Sequence, residues 1–237
     1  MASQPIQRQP IWLGKLRLDG QINSIDLDNQ VEVVDAATLD DKTAIVAATR
    51  FGFSMSLSGF WDTADAIDGE LQSAVGAVRP FFIDVANAGE GGVAYVANPL
   101  IQARPFGGSH GQLNGMSIAG LASEVPAIRG ILECMSEGIS ASRNTGGSQL
   151  GAVATGSKLY AAISVSGGSS IDLDSKVVSD DNGSFSSATD RITFANLTDL
   201  GYEWASVAGP ITDDYFRVEL TVNSGTDLDV AVAIGIL

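Results

Sequence analysis

The alternation of side chains over Tyr215 to Asn223 is the feature that most constrains the fold of this chain. Polar residues at odd positions (Tyr215, Arg217, Glu219, Thr221, Asn223) alternate with apolar ones at even positions (Phe216, Val218, Leu220, Val222). A period of two is expected of a strand that buries one face. The loop Ser224 to Asp227 separates this run from a second one, Leu228 to Leu237. The pattern therefore predicts two adjacent strands joined by a tight turn.

Composition extends this β character to the rest of the chain. Its 237 residues are 45% hydrophobic and include 27 Gly but only 7 Pro. Six short strand-like segments with turn residues between them follow one another from Leu159 to Leu237, a spacing typical of a β-sandwich. The length is sufficient for two domains with cores of their own. We therefore predict a mainly β protein whose C-terminal domain is a β-sandwich.

One helix is predicted beside a long N-terminal strand. In the strand, from Thr43 to Trp61, large apolar residues alternate with Gly52 and a series of serines (Ser54, Ser56, Ser58). Asp62 to Asp65 offers side chains that cap a helix, and apolar residues spaced near 3.6 follow up to Arg79-Pro80. The proline disfavours helix in the residue before it. We expect a β-sandwich or barrel flanked by this single helix.

The positions of Pro, Gly and Ser along the chain predict four segments. Residues 1–14 are polar, contain Pro5 and Pro10, and are predicted to form an arm. A β domain is expected over 15–136 and the C-terminal sandwich over 157–237. Between them, 137–156 is rich in Gly and Ser and is predicted to be a linker.

The net charge of −15 limits the partners of the chain. DNA-binding surfaces depend on clustered Lys and Arg, and the sequence has no such cluster. The acidity is consistent with solubility and also with a surface past which DNA slides without binding. No apolar run approaches the roughly 18 residues of a membrane span. Since the N-terminus lacks the features of a signal peptide, we expect synthesis in the cytoplasm and no membrane partner.

The chain has few residues of the types that commonly act as nucleophile or base in catalysis, with one His and one Cys. His110 lies among glycines without a second His, and Cys134 lies in an apolar stretch that predicts a buried thiol. Asp180 to Gly183 resembles part of a calcium loop but lacks its further acids, so a turn is expected. Asp213-Asp214 has no second acid at a suitable spacing for glycoside hydrolysis. We predict a protein that is not an enzyme and has no catalytic, cofactor-binding or metal-binding residues.

Aromatic residues leave a binding function open. The residues concerned are Trp61, Tyr202, Trp204, Tyr215 and Phe216. On an exposed sheet face they would form a platform for sugars; at alternate strand positions they are also typical of a core or an interface.

Two parts of the sequence resemble proteins of bacteriophage tails. The order of strands, polar loop, long strand ending in Ser58-Gly59-Phe60-Trp61-Asp62, and helix resembles the tube domain of major tail proteins from long-tailed, siphovirus-like phages. Ile192 to Phe194, Ala208 to Tyr215 and Val230 to Ile236 resemble the second domain of such phage and prophage proteins. The first resemblance covers about 15–135 and the second about 157–237, and neither supplies catalytic residues.

The resemblance implies a subunit that forms rings by joining its sheets with those of neighbouring copies. The lumen would be lined by strands near 15–34 and 43–58, with three acidic residues facing it: Asp26, Asp28 and Glu32. The arm and a long loop would reach the next ring through five residues: Trp12, Leu13, Leu39, Asp40 and Asp41. Exposed sheet edges make a monomer prone to aggregation, but in a closed ring each edge pairs with the edge of a neighbouring copy.

The function implied is that of a virion structural protein, the major tail tube subunit, whose stacked rings conduct DNA during ejection. Its partners would be other copies of itself, the tape measure protein and further tail proteins, while DNA passes without specific binding. Its location would be the virion tail, after assembly in the host cytoplasm. The alternative is a capsid decoration protein, or a virion protein that binds a receptor or glycan; a polysaccharide hydrolase is a third interpretation.

Overall fold

A computed structural model describes residues 9–35, 46–60, 65–85, 87–107, 109–110 and 114–237. Within these ranges the backbone alone is described for 32–35, 46–51, 65–66 and 106. The described part is mainly β with one helix, as predicted. Its elements are β1 (Ile11–Leu13), β2 (Leu16–Arg17), β3 (Ile22–Asp35), β4 (Val46–Phe60), α1 (Asp65–Ala74), β5 (Phe81–Asp84), β6 (Gly92–Ala97), β7 (Pro99–Ala103), β8 (Phe106–Gly107), β9 (Gly115–Ala122), β10 (Ile128–Ile139), β11 (Arg143–Asn144), β12 (Ser148–Gln149), β13 (Lys158–Asp180), β14 (Thr189–Thr193), β15 (Gly201–Ala208) and β16 (Tyr215–Ile236).

The chain forms two compact units, and neither is continuous in sequence. The first unit contains residues 1–20, 79–96 and 128–237, and the second contains 21–78 and 97–127. This division differs from the predicted segments because β10 pairs on one side with β6 and on the other with the C-terminal strand β16, so one sheet includes strands from both predicted domains. The predicted linker is also tied down, since β11 and β12 both pair with β16.

The first unit is built on an eleven-stranded sheet. Its main path runs β14-β13-β16-β10-β6-β5-β1-β2, with β15 paired to β13 and β11 and β12 paired to β16. The strand pairs whose register is described are antiparallel. The centre of the sheet is the pair of β13 and β16, strands of 23 and 22 residues.

A bend in β13 and β16 creates the predicted C-terminal sandwich. Register shifts interrupt their pairing between Val165 and Leu173. At the same level Gly168 and Gly225 have φ values of 121° and 134°, which only glycine adopts readily. Apolar residues on both sides of the bend, such as Ile163 and Val218, belong to one buried cluster. The two halves of the pair therefore contribute to one core, as expected of a β-sandwich.

The predicted turn at Ser224 to Asp227 is wrong. Both halves of β16 pair with β13, the first through Val218 opposite Val177 and the second through Val232 opposite Ile163. The glycine at 225 therefore permits a bend in one strand, where the alternation of the sequence had suggested a reversal.

A second buried cluster of the first unit includes a residue assigned above to the arm. Trp12 stacks on Phe82 with ring centroids 5.0 Å apart, and both pack with small side chains such as Ala162 and Ala233. Trp12 and Leu13 are each 2% exposed, and β1 pairs with β2 and β5. The structure thus places both side chains in a core instead of on the exposed arm predicted for 1–14; residues 1–8 lie outside the described residues.

The second unit is a five-stranded sheet with the helix α1. The strands follow the order β3-β4-β9-β7, and β8 pairs with β9. The helix ends earlier than Arg79-Pro80, because Gly76 adopts a φ of 83° just after Ala74. Its amide donates a hydrogen bond of 2.8 Å to the carbonyl of Ile101, which ties the end of the helix to β7.

Candidate functional site on the five-stranded sheet

One face of the five-stranded sheet is apolar and buried. It carries Phe53, Met55 and Leu57 of β4, Ile101 of β7, and Met116 and Ile118 of β9. Leu71 and Ala74 are the buried apolar positions among the described side chains of α1. Burial of large side chains on a single face fixes the register of the sheet, since a slip of one residue would expose all of them.

The opposite face is polar, and the register aligns its side chains in rows. Ser24 lies opposite Ser58, Asp26 opposite Ser56, and Asp28 opposite Ser54. The rows continue onto β9 through Ser117, Ala119 and Leu121. Asp26, Asp28 and Ser56 are exposed. Among the described side chains at these positions there is no Lys or Arg, so this polar face combines hydroxyl groups with negative charge.

The acidic pair on β3 defines the electrostatics of the polar face. Asp26 and Asp28 are two residues apart on the same side of a strand, a separation of about 7 Å. Their carboxylates are exposed, so water screens their mutual repulsion. The side-chain amide of Gln30 donates a hydrogen bond to Asp28. Among the side chains that the structure describes on this face, the acidic groups can repel phosphate and there is no cation to bind it.

The strand β3 is an edge of this sheet. It has 14 residues and pairs with β4; in the part of the chain that the structure describes, no strand pairs with its other side. Ile25 and Leu27 are half-buried, and Val31 is 44% exposed. A long edge with apolar side chains is a template for pairing with another chain.

The other edge of the sheet carries exposed aliphatic side chains. Val78 forms an antiparallel bridge with Leu100 of β7, and Leu100 lies opposite Leu121 of β9. The exposed fractions of these three residues are between 37% and 41%. Leu121 lies one strand in from this edge, at the end of a row of the polar face. We call Val78, Leu100 and Leu121 the aliphatic edge.

Three features fix the strands and the helix of the second unit relative to one another. The side chain of Asn29 and the backbone of Ala127 exchange two hydrogen bonds of 3.0 Å. The buried guanidinium of Arg104, at the end of β7, pairs with Asp68 of α1. Only glycine fits at position 59 of β4, because a Cβ there would lie 1.9 Å from the carbonyl oxygen of Gln21.

The structure brings together part of the predicted site. Asp26 and Asp28 share the polar face, and Glu32 continues on β3, opposite Arg50 in backbone register. The side chain of Glu32 is not among the described ones. Leu39, Asp40 and Asp41 lie wholly outside the described residues. Trp12 and Leu13 are buried in the first unit and are not placed with these residues.

Sequence reasoning missed Asn29, Gly59 and the aliphatic edge. Asn29 and Gly59 act through Ala127 and Gln21, far away in sequence, and no local pattern identifies such partners. The aliphatic edge joins residues from three separate parts of the chain, and no local pattern identifies it.

The chemically reactive residues are dispersed. His110 is exposed in a turn. Cys134 is fully buried, and burial raises the pKa of its thiol to about 12. Within the described ranges there is no group of three His, Cys, Asp or Glu residues suited to a metal ion. The helix that is described is too short and too polar to cross a membrane.

The acidic motifs near the C-terminus have structural partners. Asp180 is buried and accepts hydrogen bonds from the amides of Asn182 and Ser187, which close the turn expected there. Asp213 accepts a hydrogen bond of 2.6 Å from Ser179 and one of 2.8 Å from Arg191. The Ser179 hydroxyl, and after it Arg191, lowers the pKa of Asp213 below its ordinary value.

The aromatic residues do not form one platform among the described residues. Phe216 is fully buried, and Trp204 packs against Tyr160 with ring centroids 5.6 Å apart. The guanidinium of Arg79 lies over the ring of Tyr202 at 5.1 Å. Trp61 lies outside the described residues.

Comparisons with known proteins give similarities of structure. No protein-family model matches the sequence, and no curated protein sequence does. A chain of the virion of a native gene transfer agent particle shares 19% identity, with a TM-score of 0.41, over 52% of this chain and 96% of that chain. A chain from the tail of an empty gene transfer agent particle with C6 symmetry shares 18% identity, with a TM-score of 0.40 and the same coverage. The Dit protein of phage SPP1, described as a paradigm of the hub adsorption apparatus, shares 7% identity over 98% of this chain and 100% of its own, with a TM-score of 0.41. These similarities concern the fold alone.

Proposed function

We propose that the chain is a structural subunit of a virion tail, and that copies of it assemble into stacked rings that form the tail tube. DNA would pass through the lumen of these rings during ejection without specific binding. Its further partners would be the tape measure protein and other tail proteins. The observation that carries this proposal is the polar face of the second unit, where Asp26 and Asp28 align with a row of serines.

The chemistry of the polar face suits a lumen. A channel for DNA gains from repulsion, because an attractive contact repeated at every ring would multiply into a trap along the tube. Asp26 and Asp28 are exposed and repel phosphate, while Ser54, Ser56 and Ser58 are small and neutral. The resemblance of Ser58 to Asp62 to the strand end of tail tube domains supports the same assignment.

The two edges of the sheet suit the closure of a ring. In a head-to-tail ring, the β3 edge of one copy would lie beside the aliphatic edge of the next copy. The exposed side chains of Val31 on β3 and of Leu100 on β7 would then lie at the junction between copies. Because each copy offers two different edges, such contacts repeat around the ring until it closes.

Electron microscopy of the concentrated, purified protein tests the proposal. Hollow tubes or rings are the expected result. Compact oligomers that bind cell-wall sugars would contradict it and would favour the alternative, a decoration or receptor-binding protein.

Edge variants sharpen this test. Val31→Asp and Leu100→Asp should each abolish tubes, because a charge would be buried between copies, while the far-ultraviolet circular dichroism stays unchanged. Val85→Asp is the matched control, since Val85 is 39% exposed but belongs to the first unit. If all three variants form tubes equally well, the two edges are not the contacts between copies.

A further inference from the structure

A buried carboxylate in the first unit has no part in the proposed lumen. Glu133 lies in β10 and is 2% exposed. The pairing of β10 with β16 shifts between Leu132 and Cys134, so Glu133 is the extra residue of a β-bulge. Bulges redirect side chains, and this one leaves an acidic group inside the protein.

The two oxygens of this carboxylate differ in their partners. Its Oε1 accepts a hydrogen bond of 2.6 Å from the hydroxyl of Thr145. Its Oε2 is buried and accepts no hydrogen bond of ordinary geometry from the described residues. A buried ionised oxygen without such a bond is costly, whereas a protonated carboxyl group is far cheaper to bury.

Thr145 connects Glu133 to the segment that was predicted as a linker. Its hydroxyl accepts a hydrogen bond of 3.0 Å from the amide of Val218, and its own amide donates one of 3.0 Å to the Val218 carbonyl. On either side, β11 and β12 pair with β16. We call residues 143–149 the strap, since they lie along β16 with Thr145 buried at their centre.

Burial raises the pKa of Glu133, and the Thr145 hydroxyl, followed by Ser148 and Gly147, acts in the opposite direction. Four other charged groups lie on the elements around it, namely the loop before β6, the strap and β16. Glu90, from the loop before β6, raises the same pKa and is bonded to Arg143 of the strap at 2.9 Å. On β16, Arg217 pairs with Glu219. The Cys134 thiol beside it is neutral at physiological pH because its own pKa is about 12.

We propose that Glu133 is a proton-controlled latch that holds the strap against β16 when its carboxyl group is protonated and loosens it when the group is ionised. The proton comes from solvent and returns to it. In the ionised form, lifting the strap gives the buried oxygen access to water, so the opened state becomes more favourable. The edge of β16 near Phe216 and Val218 then loses its pairing with the strap.

The direction of the pH dependence follows from proton linkage. A carboxyl group whose pKa is higher when buried binds its proton more tightly in the latched state. The latch is therefore complete below the ordinary pKa of a glutamate and weakens as pH rises through the raised value. Within that window, the equilibrium constant for opening should increase by up to about tenfold per pH unit.

Hydrogen exchange of the intact protein tests the latch. The exchange rate of the Val218 amide, divided by that of the Ile211 amide, is measured from about pH 4 to pH 8. Both amides belong to the first unit, and Ile211 is bonded to Val153 at 2.9 Å, away from the strap, so the ratio removes the intrinsic effect of pH. The ratio should rise with pH in the wild-type protein and stay flat in Glu133→Gln.

A second measurement keeps the proposal testable if Glu133→Gln does not fold. The carboxyl carbon of Glu133 should titrate above the ordinary range in an NMR experiment on the wild-type protein. Thr145→Val removes the one hydrogen bond to Oε1 and should move that titration higher still. Titration at the ordinary value, or equal ratios in wild type and Glu133→Gln at every pH, would overturn the latch.

Discussion

The side chain of Asn29 donates one hydrogen bond to the carbonyl of Ala127 and accepts one from its amide, each 3.0 Å long. This pair ties the edge strand β3 to the loop that follows β9. Asn29→Ala should lower the free energy of unfolding by about 1–3 kcal/mol, because two backbone groups of Ala127 lose their partners. Chemical denaturation measures the change, with Asn23→Ala on the same strand as the control. Equal losses in both variants would show that the pair adds nothing specific.

Reversing the charge of the polar face should impair the passage of DNA. Replacing Asp26, Asp28 and Glu32 by Lys should leave tails assembled but reduce DNA delivery per particle, because phosphates would bind at every ring. Higher salt should restore part of the delivery, since such binding weakens steeply with ionic strength. Asp199→Lys, in the first unit, controls for the added charge. Unchanged delivery by the triple variant would remove these residues from the lumen.

Trp12→Ala should destabilise the isolated subunit by about 3–5 kcal/mol, the usual range for removing a buried aromatic ring. Trp12 stacks on Phe82 within the core, so the loss does not require neighbouring copies. Thermal or chemical unfolding of dilute protein provides the measurement. The control is Leu200→Ala, where the side chain is 38% exposed. A stable monomer with defective assembly would instead return Trp12 to an inter-ring role.

Gly59→Ala should cost about 3 kcal/mol, because the new Cβ would lie 1.9 Å from a backbone oxygen that cannot easily move. Gly69→Ala in α1 is the matched control. A Cβ at Gly69 meets nothing within 4 Å, so this variant should gain up to about 1 kcal/mol from helix propensity. The two free energies of unfolding should therefore change in opposite directions.

Asp213 should make stability depend on pH in the acid range. The Ser179 hydroxyl and Arg191 lower its pKa in the folded protein, so its contribution is complete above the ordinary aspartate value. That contribution is lost as pH falls through the lowered value. Asp213→Asn should flatten this part of the melting-temperature profile. An identical acid slope in wild type and Asp213→Asn would contradict the assignment.

The alternation of the C-terminal residues predicted strands correctly but not their connection. Leu220 and Val230 are buried as the pattern requires, yet Gly225 bends one strand where a turn was expected. A bend and a turn share the same local sequence of Ser, Gly, Thr and Asp. Only the partner strand distinguishes them, because β13 bends at the same level. Pairing between positions some 50 residues apart cannot be read from a local period.

The candidate site shows the same limit. The serines at 54, 56 and 58 and the acids at 26 and 28 each form a visible alternation, so their faces could be predicted. The register that brings Asp26 opposite Ser56 depends on the whole sheet. Trp12 was misplaced for a related reason: prolines near it suggested an arm, while its actual partner, Phe82, lies 70 residues away.

The chain passes between the two units four times, after residues 20, 78, 96 and 127. No single peptide-bond cleavage can therefore release either unit. A protease that nicks one crossing leaves the fragments held by the packing inside each unit and by the remaining crossings. A particle built from such subunits would keep its integrity after limited digestion that would shed a domain attached by one linker.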